Sequence, residues 1–426
     1  MTTTSRRRGR RTTAALAASV ALVATATGVA VAAPGSPGVP SDPDVLLHET
    51  FGTGLASGEL ALLEDYGTQN YSADAAWLDV AAGNGLIVDG TTSDADLTAA
   101  GYTNADGQAN LRALATKIGE INGSSPASSN HAVTAYTDAN PGANKIEFRT
   151  VDPLDLNADG RFLTVAANVG VVNCARGAAQ PALVFYLDDD GEETRVNPTA
   201  LTPCADGSTD AAQATELLGG RAALFTGDDV GIVIRNEQGS GGGNDHAYDD
   251  VRVLDVTPQL DKAFVDEGEK LKVGETTDLV LTVTNTSELG EKSGWSFTDS
   301  LPKSLRVAGE ATTTCAAADI TAEEGDKEIV VENGSLAQGA ASCDITVPVT
   351  SKKGGVFKNS AANIDSVGLN DPGATEVSFV APAVDVEAPD TGAQPAAMWP
   401  TYLALSLGLL TVGGLATYQV ATRSRR

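Results

Sequence analysis

The 426-residue sequence is short of the residues that most enzyme chemistry uses. It has four cysteines, none in a CxxC pair, and three histidines, none at zinc-ligand spacing. Metal–thiolate and dithiol redox centres are therefore excluded as starting points. His48, His131 and His246 lie in separate segments, outside any GxSxG elbow or HExxH helix, so the familiar hydrolase and zinc-peptidase motifs are missing too. Basic residues are scarce, with 28 Lys and Arg against 56 Asp and Glu. A field of that sign repels nucleic acid and anionic lipid. Aromatics make up only 5%, which leaves few rings for stacking on sugars; Trp77, Tyr186 and Tyr248 are the candidates. The glycine run 239–243 is not followed by Lys-Ser or Lys-Thr, so it is no phosphate cradle.

What is present begins at the ends. Arg6, Arg7, Arg8, Arg10 and Arg11 precede an Ala/Val-rich run that closes on Ala30-Val31-Ala32 and a Pro/Gly/Ser stretch. Basic, apolar and small, in that order, predict a secretory signal peptide over 1–32. Near the other end, 399–421 holds no charged residue and is followed by Arg423, Arg425 and Arg426. About twenty residues rising 1.5 Å each span a hydrocarbon core of about 30 Å, so 398–421 reads as a transmembrane helix. The basic tail 422–426 is expected to stay cytoplasmic, with the body outside. Without the arginines of both ends, the exported part has a formal charge near −36.

Oxidised cysteines suit that location. Cys174, Cys204, Cys315 and Cys343 allow three pairings. Neighbouring pairs, Cys174 with Cys204 and Cys315 with Cys343, each close a loop of about thirty residues within one expected domain, worth about 3–4 kcal/mol through lost unfolded-state entropy.

Between the ends the pattern is mainly β. In 44–257, the short apolar segments 145–150, 161–172, 183–187, 230–235 and 248–256 are bounded by Gly, Asn, Asp or Pro and read as strands. Leu111, Leu114, Ala115, Ile118 and Ile121 follow helical spacing and stop at Asn122-Gly123. A second, weaker helix is predicted over 210–218. Strands at this density predict a jelly-roll-like sandwich. Pro258 marks a boundary, and 258–382 reads as an immunoglobulin-like β-sandwich. In it, Asn333-Gly334 predicts a hairpin turn and Pro348 an edge position or a bulge. The Ala/Pro-rich segment 383–397 reads as an extended spacer.

Three resemblances attach to these segments. Ala388-Pro389-Asp390-Thr391-Gly392, followed by the apolar span and the Arg tail, resembles a cell-wall sorting signal of the LPxTG kind, with Ala388 where that family has Leu. The resemblance implies a sortase that attacks the Thr391 carbonyl and passes the acyl group to a peptidoglycan precursor. The stretches Pro258-Gln259-Leu260-Asp261-Lys262, Leu281-Thr282-Val283-Thr284-Asn285, Phe297-Thr298-Asp299-Ser300-Leu301-Pro302 and Ser342-Cys343 resemble a repeat domain of bacterial surface proteins. That family implies a spacer and no catalysis. The first unit is similar, more loosely, to the N-terminal sandwich of actinobacterial surface proteins, and 244–253 resembles the closing strand of a lectin-type jelly roll.

Two further sets of residues carry chemistry. Asp155, Asn157 and Asp159, followed by Gly160, set hard oxygens at alternate positions and are a candidate calcium site, although position twelve is Ala166 and not the Glu of an EF-hand. In immunoglobulin-like pilin and adhesin domains that resemble 258–382, a Lys on the first strand condenses with an Asn near the last. Lys262, Asn359 and Asn363 occupy those positions, and Asp299 is placed to shuttle the proton. The reading of the whole is a surface-anchored adhesin or structural envelope protein, not an enzyme, whose outer sandwich binds a glycan or protein. A surface hydrolase acting on wall polysaccharide is the alternative, since acid pairs such as Asp249-Asp250 are plentiful.

Overall fold

The computed structural model describes residues 36–67, 70–176, 179–204 and 209–381. The segments expected to be a signal peptide, a sorting motif and a membrane span lie outside these residues. Among the described residues no helix is long and apolar enough to cross a membrane.

The described chain is mainly β, built from two sandwiches. In the first, an eight-stranded sheet faces a six-stranded one. The eight-stranded sheet runs Gln213–Leu218, Phe162–Val172, Asp245–Asp255, Ala132–Ala135, Asn84–Val88, Ala61–Leu62, with Asp44–Glu49 and Ala223–Leu224 added beside it. The six-stranded sheet is centred on Asp229–Asn236, between Leu183–Asp189 and Lys145–Thr150. Val165, Val169, Phe185, Ile232 and Val253 fill the space between the sheets, together with an aromatic knot of Phe51, Tyr66, Tyr71, Phe148 and Tyr248.

A third layer lies on the far face of the eight-stranded sheet. Helix Ala105–Asn122 buries Leu111, Leu114, Ala115 and Ile118 there, on the stripe that their spacing predicts. Asn104 caps its start by accepting from Gly107 N–H, and Gly123 closes it in the left-handed region. Gly170 lets the helix approach the sheet, since a Cβ there would lie 3.2 Å from the Leu114 carbonyl. With both faces covered, all eleven residues of Phe162–Val172 are buried.

The expected helix over 210–218 is instead the strand Gln213–Leu218, antiparallel to Phe162–Val172. Good local helix formers yield here to an open sheet edge whose backbone groups need partners.

The second sandwich has a five-stranded sheet, Gln259–Phe264, Thr276–Thr284, Ser342–Ser351 and Leu305–Val307 with Thr312–Thr313 added. Opposite lies Ala317–Thr321, Glu328–Leu336, Lys292–Ser300 and Ile364–Val367, and Thr375–Val380 pairs with both Lys270–Lys272 and Gly355–Asn359. Strict in–out alternation along Ser342–Ser351 sends Cys343, Ile345, Val347 and Val349 into the core.

Two local expectations are corrected here. Asn333-Gly334 is no hairpin turn but a bulge inside the continuous strand Glu328–Leu336, with Asn333 at φ 53°. The cause is Trp295, whose ring lies across Gly334 so closely that a Cβ would sit 2.2 Å from it. Pro348 lies in an interior strand, not at an edge. It sits where Leu305–Val307 gives way to Thr312–Thr313, and its carbonyl accepts from Ala308 N–H at 2.7 Å. No ladder donor is asked of it on that side.

The two sandwiches share an apolar seam. Phe162, Ala166, Leu254 and Val256 of the first belong to the core of the second, alongside Trp295 and Leu260. The lead-in residues 36–43 cross onto the second sandwich, where Gly38 N–H donates to Thr284 Oγ1 and Ser41 bridges to Thr286.

Candidate functional site

The structure pairs Cys174 with Cys204 and Cys315 with Cys343, at sequence separations of 30 and 28. The calcium candidates fare differently. Asp155, Asn157 and Asp159 are exposed, while Leu154 just before them and Ala158 among them are buried. Asp155 ends the short strand Leu154–Asp155, which pairs with Asp229–Asn236, and Asp159 and Gly160 form a turn. Among the described residues no three His, Cys, Asp or Glu side chains gather closely enough to hold a metal. Segment 244–250, also rich in hard oxygens, belongs mostly to the strand Asp245–Asp255 and its polar groups are committed. Asp245 accepts from Thr137 Oγ1 and Asn173 Nδ2, and Asn244 accepts from Asn236 Nδ2.

The stacking candidates are core residues for the most part. Trp77 and Tyr248 are buried, Trp77 with its ring edge-on to His246. Tyr186 is half-buried beneath the Arg235 guanidinium, 5.6 Å from its ring centroid. His246 is wholly buried and 2.8 Å from Glu147. Burial opposes its charge, but the Glu147 carboxylate prevails and holds its pKa above the usual histidine value.

What sequence reasoning missed is the cleft at the C-terminal end of the long helix. A bulge in Asp245–Asp255 shifts register between Asp249 and Arg252 and sets Asp250 at φ 53°. Asp249 thereby turns inward and Asp250 outward. Asp249 Oδ2 accepts from Asn122 Nδ2 and Asn130 Nδ2, both at 2.9 Å. Asn168 Nδ2 donates to Asn122 Oδ1 at 2.6 Å and to Asp250 Oδ2 at 2.8 Å. Burial pushes the Asp249 carboxyl up to about 8. Asp250 meets His48, whose side chain is 51% exposed, and Arg252.

Around this network opens a cleft of about 550 Å³, walled further by Thr50, Thr53, Ser57, Ser129 and His131. No Phe, Tyr or Trp ring lines it. The polar run Asn122, Ser124, Ser128, Ser129, Asn130 after the helix stop was the available signal. It reads locally as turn chemistry, and only the long-range partner Asp249 makes it a site.

A second polar constellation is enclosed in the other sandwich. Lys262 Nζ donates to Asn359 Oδ1 at 2.7 Å and to the Ser360 carbonyl at 2.9 Å, and lies 3.7 Å from Asp299 Oδ2. Asn359 Nδ2 donates to Asp299 Oδ2 at 2.7 Å. Asn363 stands apart: its Oδ1 accepts from Ser360 N–H and its Nδ2 donates to the Ser300 carbonyl.

A family model described as a domain of unknown function (DUF7933) matches residues 258–380. No curated protein matches the chain. Among solved structures, the xylan-binding CBM22-1 domain of Paenibacillus barcinonensis Xyn10C is 13% identical, covering 50% of this chain and 96% of that one at a TM-score of 0.25. The major pilin subunit BcpA of Bacillus cereus is 12% identical, covering 50% and 69% at 0.24. The N-terminal domain of the Streptococcus gordonii adhesin Sgo0707 is 11% identical, covering 59% and 66% at 0.26. At such identities and scores these likenesses assign no ligand.

Proposed function

We propose that this chain is a surface-displayed binding protein whose first sandwich takes a hydroxyl-rich ligand, a glycan, in the cleft beside Asp250. The observation that carries the reading is the cleft's wall. Hydroxyl, amide, imidazole and carboxylate groups face one open space, and the buried Asn–Asp network beneath fixes the orientation of Asn122, Asn130 and Asp250. Preset donors and acceptors of mixed kind suit sugar hydroxyls, which are both. Without a Phe, Tyr or Trp in the wall, recognition rests on hydrogen bonds and not on stacking. The second sandwich then serves as the stalk. In this reading a sortase thiol attacks the Thr391 carbonyl, releases the segment from Gly392 onward and passes the Thr391 acyl group to an amine of a peptidoglycan precursor, so Thr391→Ala leaves the protein extractable by detergent.

The hydrolase alternative has less support. Asp249 has the raised pKa of a general acid, but its side chain is fully buried and does not line the cleft.

A glycan array probed with residues 36–381, with and without calcium, tests the proposal. Both sandwiches are kept because a cut at 257 would expose the seam around Phe162 and Leu254. Saccharide binding that His48→Ala and Ser57→Ala weaken, at unchanged Tm, is the expected result. Binding to matrix proteins with no saccharide bound, or release of reducing ends from wall polysaccharide, overturns it.

A further inference from the structure

We propose that Lys262 and Asn359 condense into an intramolecular isopeptide bond, with Asp299 carrying the proton between them. The placement of three side chains carries the inference, whatever the cleft binds. Lys262 comes from the first strand of the second sandwich, Asn359 from the end of Gly355–Asn359, and Asp299 from Lys292–Ser300 on the facing sheet. All three side chains are sealed from solvent. An amine held against a carboxamide in a dry site has the proximity that an intramolecular acyl transfer needs.

Asp299 stands where the proton must travel. One of its oxygens is within reach of both the nucleophile, Lys262 Nζ, and the leaving nitrogen, Asn359 Nδ2. Its other oxygen, Oδ1, is buried without a hydrogen-bond partner, a costly state for an ionised carboxylate. Burial lowers the Lys262 pKa and raises that of Asp299, each against the pull of the other's charge, and both shifts favour a neutral amine beside a neutral acid.

The step balances without a co-reactant. Lys262 gives a proton to Asp299, and the free Nζ adds to Cγ of Asn359. Asp299 returns the proton to Nδ2, the Cγ–Nδ2 bond breaks, and ammonia leaves with the surplus proton of the former ammonium. One amide replaces another.

An internal control lies in the same domain. Lys292 is also buried and contacts Asn285 Oδ1 and Glu288. There the amide nitrogen donates to the carbonyls of Gly290 and Ala340, so no acid reaches the leaving group. Condensation is expected at Lys262 and not at Lys292.

Peptide mapping by tandem mass spectrometry decides the matter, on the full chain purified in its folded state, then reduced and digested. The expected result is a branched peptide joining the Lys262 and Asn359 segments, lighter than their sum by one ammonia, and no cleavage by trypsin at Lys262. Separate, unmodified Lys262 and Asn359 peptides overturn the proposal. So does an ammonia loss that maps to Asn333-Gly334, which marks a succinimide, or to Lys292 with Asn285. Asp299→Asn and Asp299→Ser are expected to yield unlinked chain with unchanged circular dichroism, and either one in folded form serves. A folded, fully linked Asp299 variant refutes the proton-carrying role.

Discussion

Both sandwiches bury amides beside carboxylates, and the surroundings of those groups separate them. In the first, the chain of contacts from Asp249 through Asn122 and Asn168 to Asp250 leads from the interior to an open cleft. In the second, Lys262, Asn359 and Asp299 are closed in on every side. A polar network with an outlet presents its groups to a ligand, whereas one without an outlet can only react internally or add rigidity. The same contrast recurs on a smaller scale between Lys262 and Lys292, where the partner of the amide nitrogen decides which lysine has chemistry available.

The sharpest way to break the comparison is mechanical. With the bond in place, the 97 positions between Lys262 and Asn359 cannot extend under load. The Cys315–Cys343 disulfide keeps 28 of those positions closed with or without the bond, so pulling on the Asp299→Asn variant should lengthen the unfolded second sandwich by roughly 230–250 Å relative to wild type, as read by single-molecule force spectroscopy. Equal lengths would end the distinction between a ligand-facing and a self-linking sandwich. In chemical denaturation the same variant should lose roughly 4–5 kcal/mol, the entropy of closing so long a loop.

The disulfides sharpen the contrast next. Replacing Cys174 and Cys204 by Ser should cost the first sandwich about 3–4 kcal/mol. The same change at Cys315 and Cys343 should cost less, because that loop lies inside the one already closed by Lys262 and Asn359. Urea melts of the two double variants compare them directly.

A smaller effect is expected from pH, and in the first sandwich. The Asp249 carboxyl is raised to about 8, so the folded chain holds a proton that the unfolded chain has released. Its stabilisation is complete below about pH 4 and is lost as pH climbs through the folded value. His246, also raised, acts in the same direction, with its contribution lost above its own folded pKa. Asp249→Asn keeps the neutral hydrogen-bonding form and should remove a few kcal/mol of that slope, measured as stability against pH from 4 to 9. A slope unchanged by the substitution would mean that Asp249 is ionised in the native state.

Gly334→Ala should cost about 1–3 kcal/mol by forcing a methyl group into the Trp295 ring. His48→Ala, which removes the half-exposed member of its contact with Asp250, should change stability by under about 1 kcal/mol while weakening saccharide binding. If His48→Ala instead lowered Tm as much as Gly334→Ala, the cleft would be a structural element and not a presenting one.

The sequence alone was sufficient for whatever depends on neighbours along the chain. Short apolar segments between turn residues marked the strands at 145–150 and 230–235, helical spacing marked Leu111 to Ile118 with its glycine stop, and loop length favoured the neighbouring cysteine pairs. The resemblance to pilin and adhesin domains, and not the local pattern, brought Lys262 and Asp299 forward together, with Asn359 and Asn363 as the alternatives. Tertiary structure alone decided the rest. It drew Gln213–Leu218 into a sheet edge against its helical propensity, and made Asn333-Gly334 a bulge under a tryptophan ring. It chose Asn359 over Asn363, because only Asn359 turns its amide inward between the sheets. It also assembled the cleft from Asn122, Asn130, Asn168 and Asp249, whose hydrogen bonds span up to 127 positions. Local pattern reports which way a side chain faces. Which distant side chain it meets is set by sheet register and by the bulge at Asp250, and no window of neighbouring residues contains either.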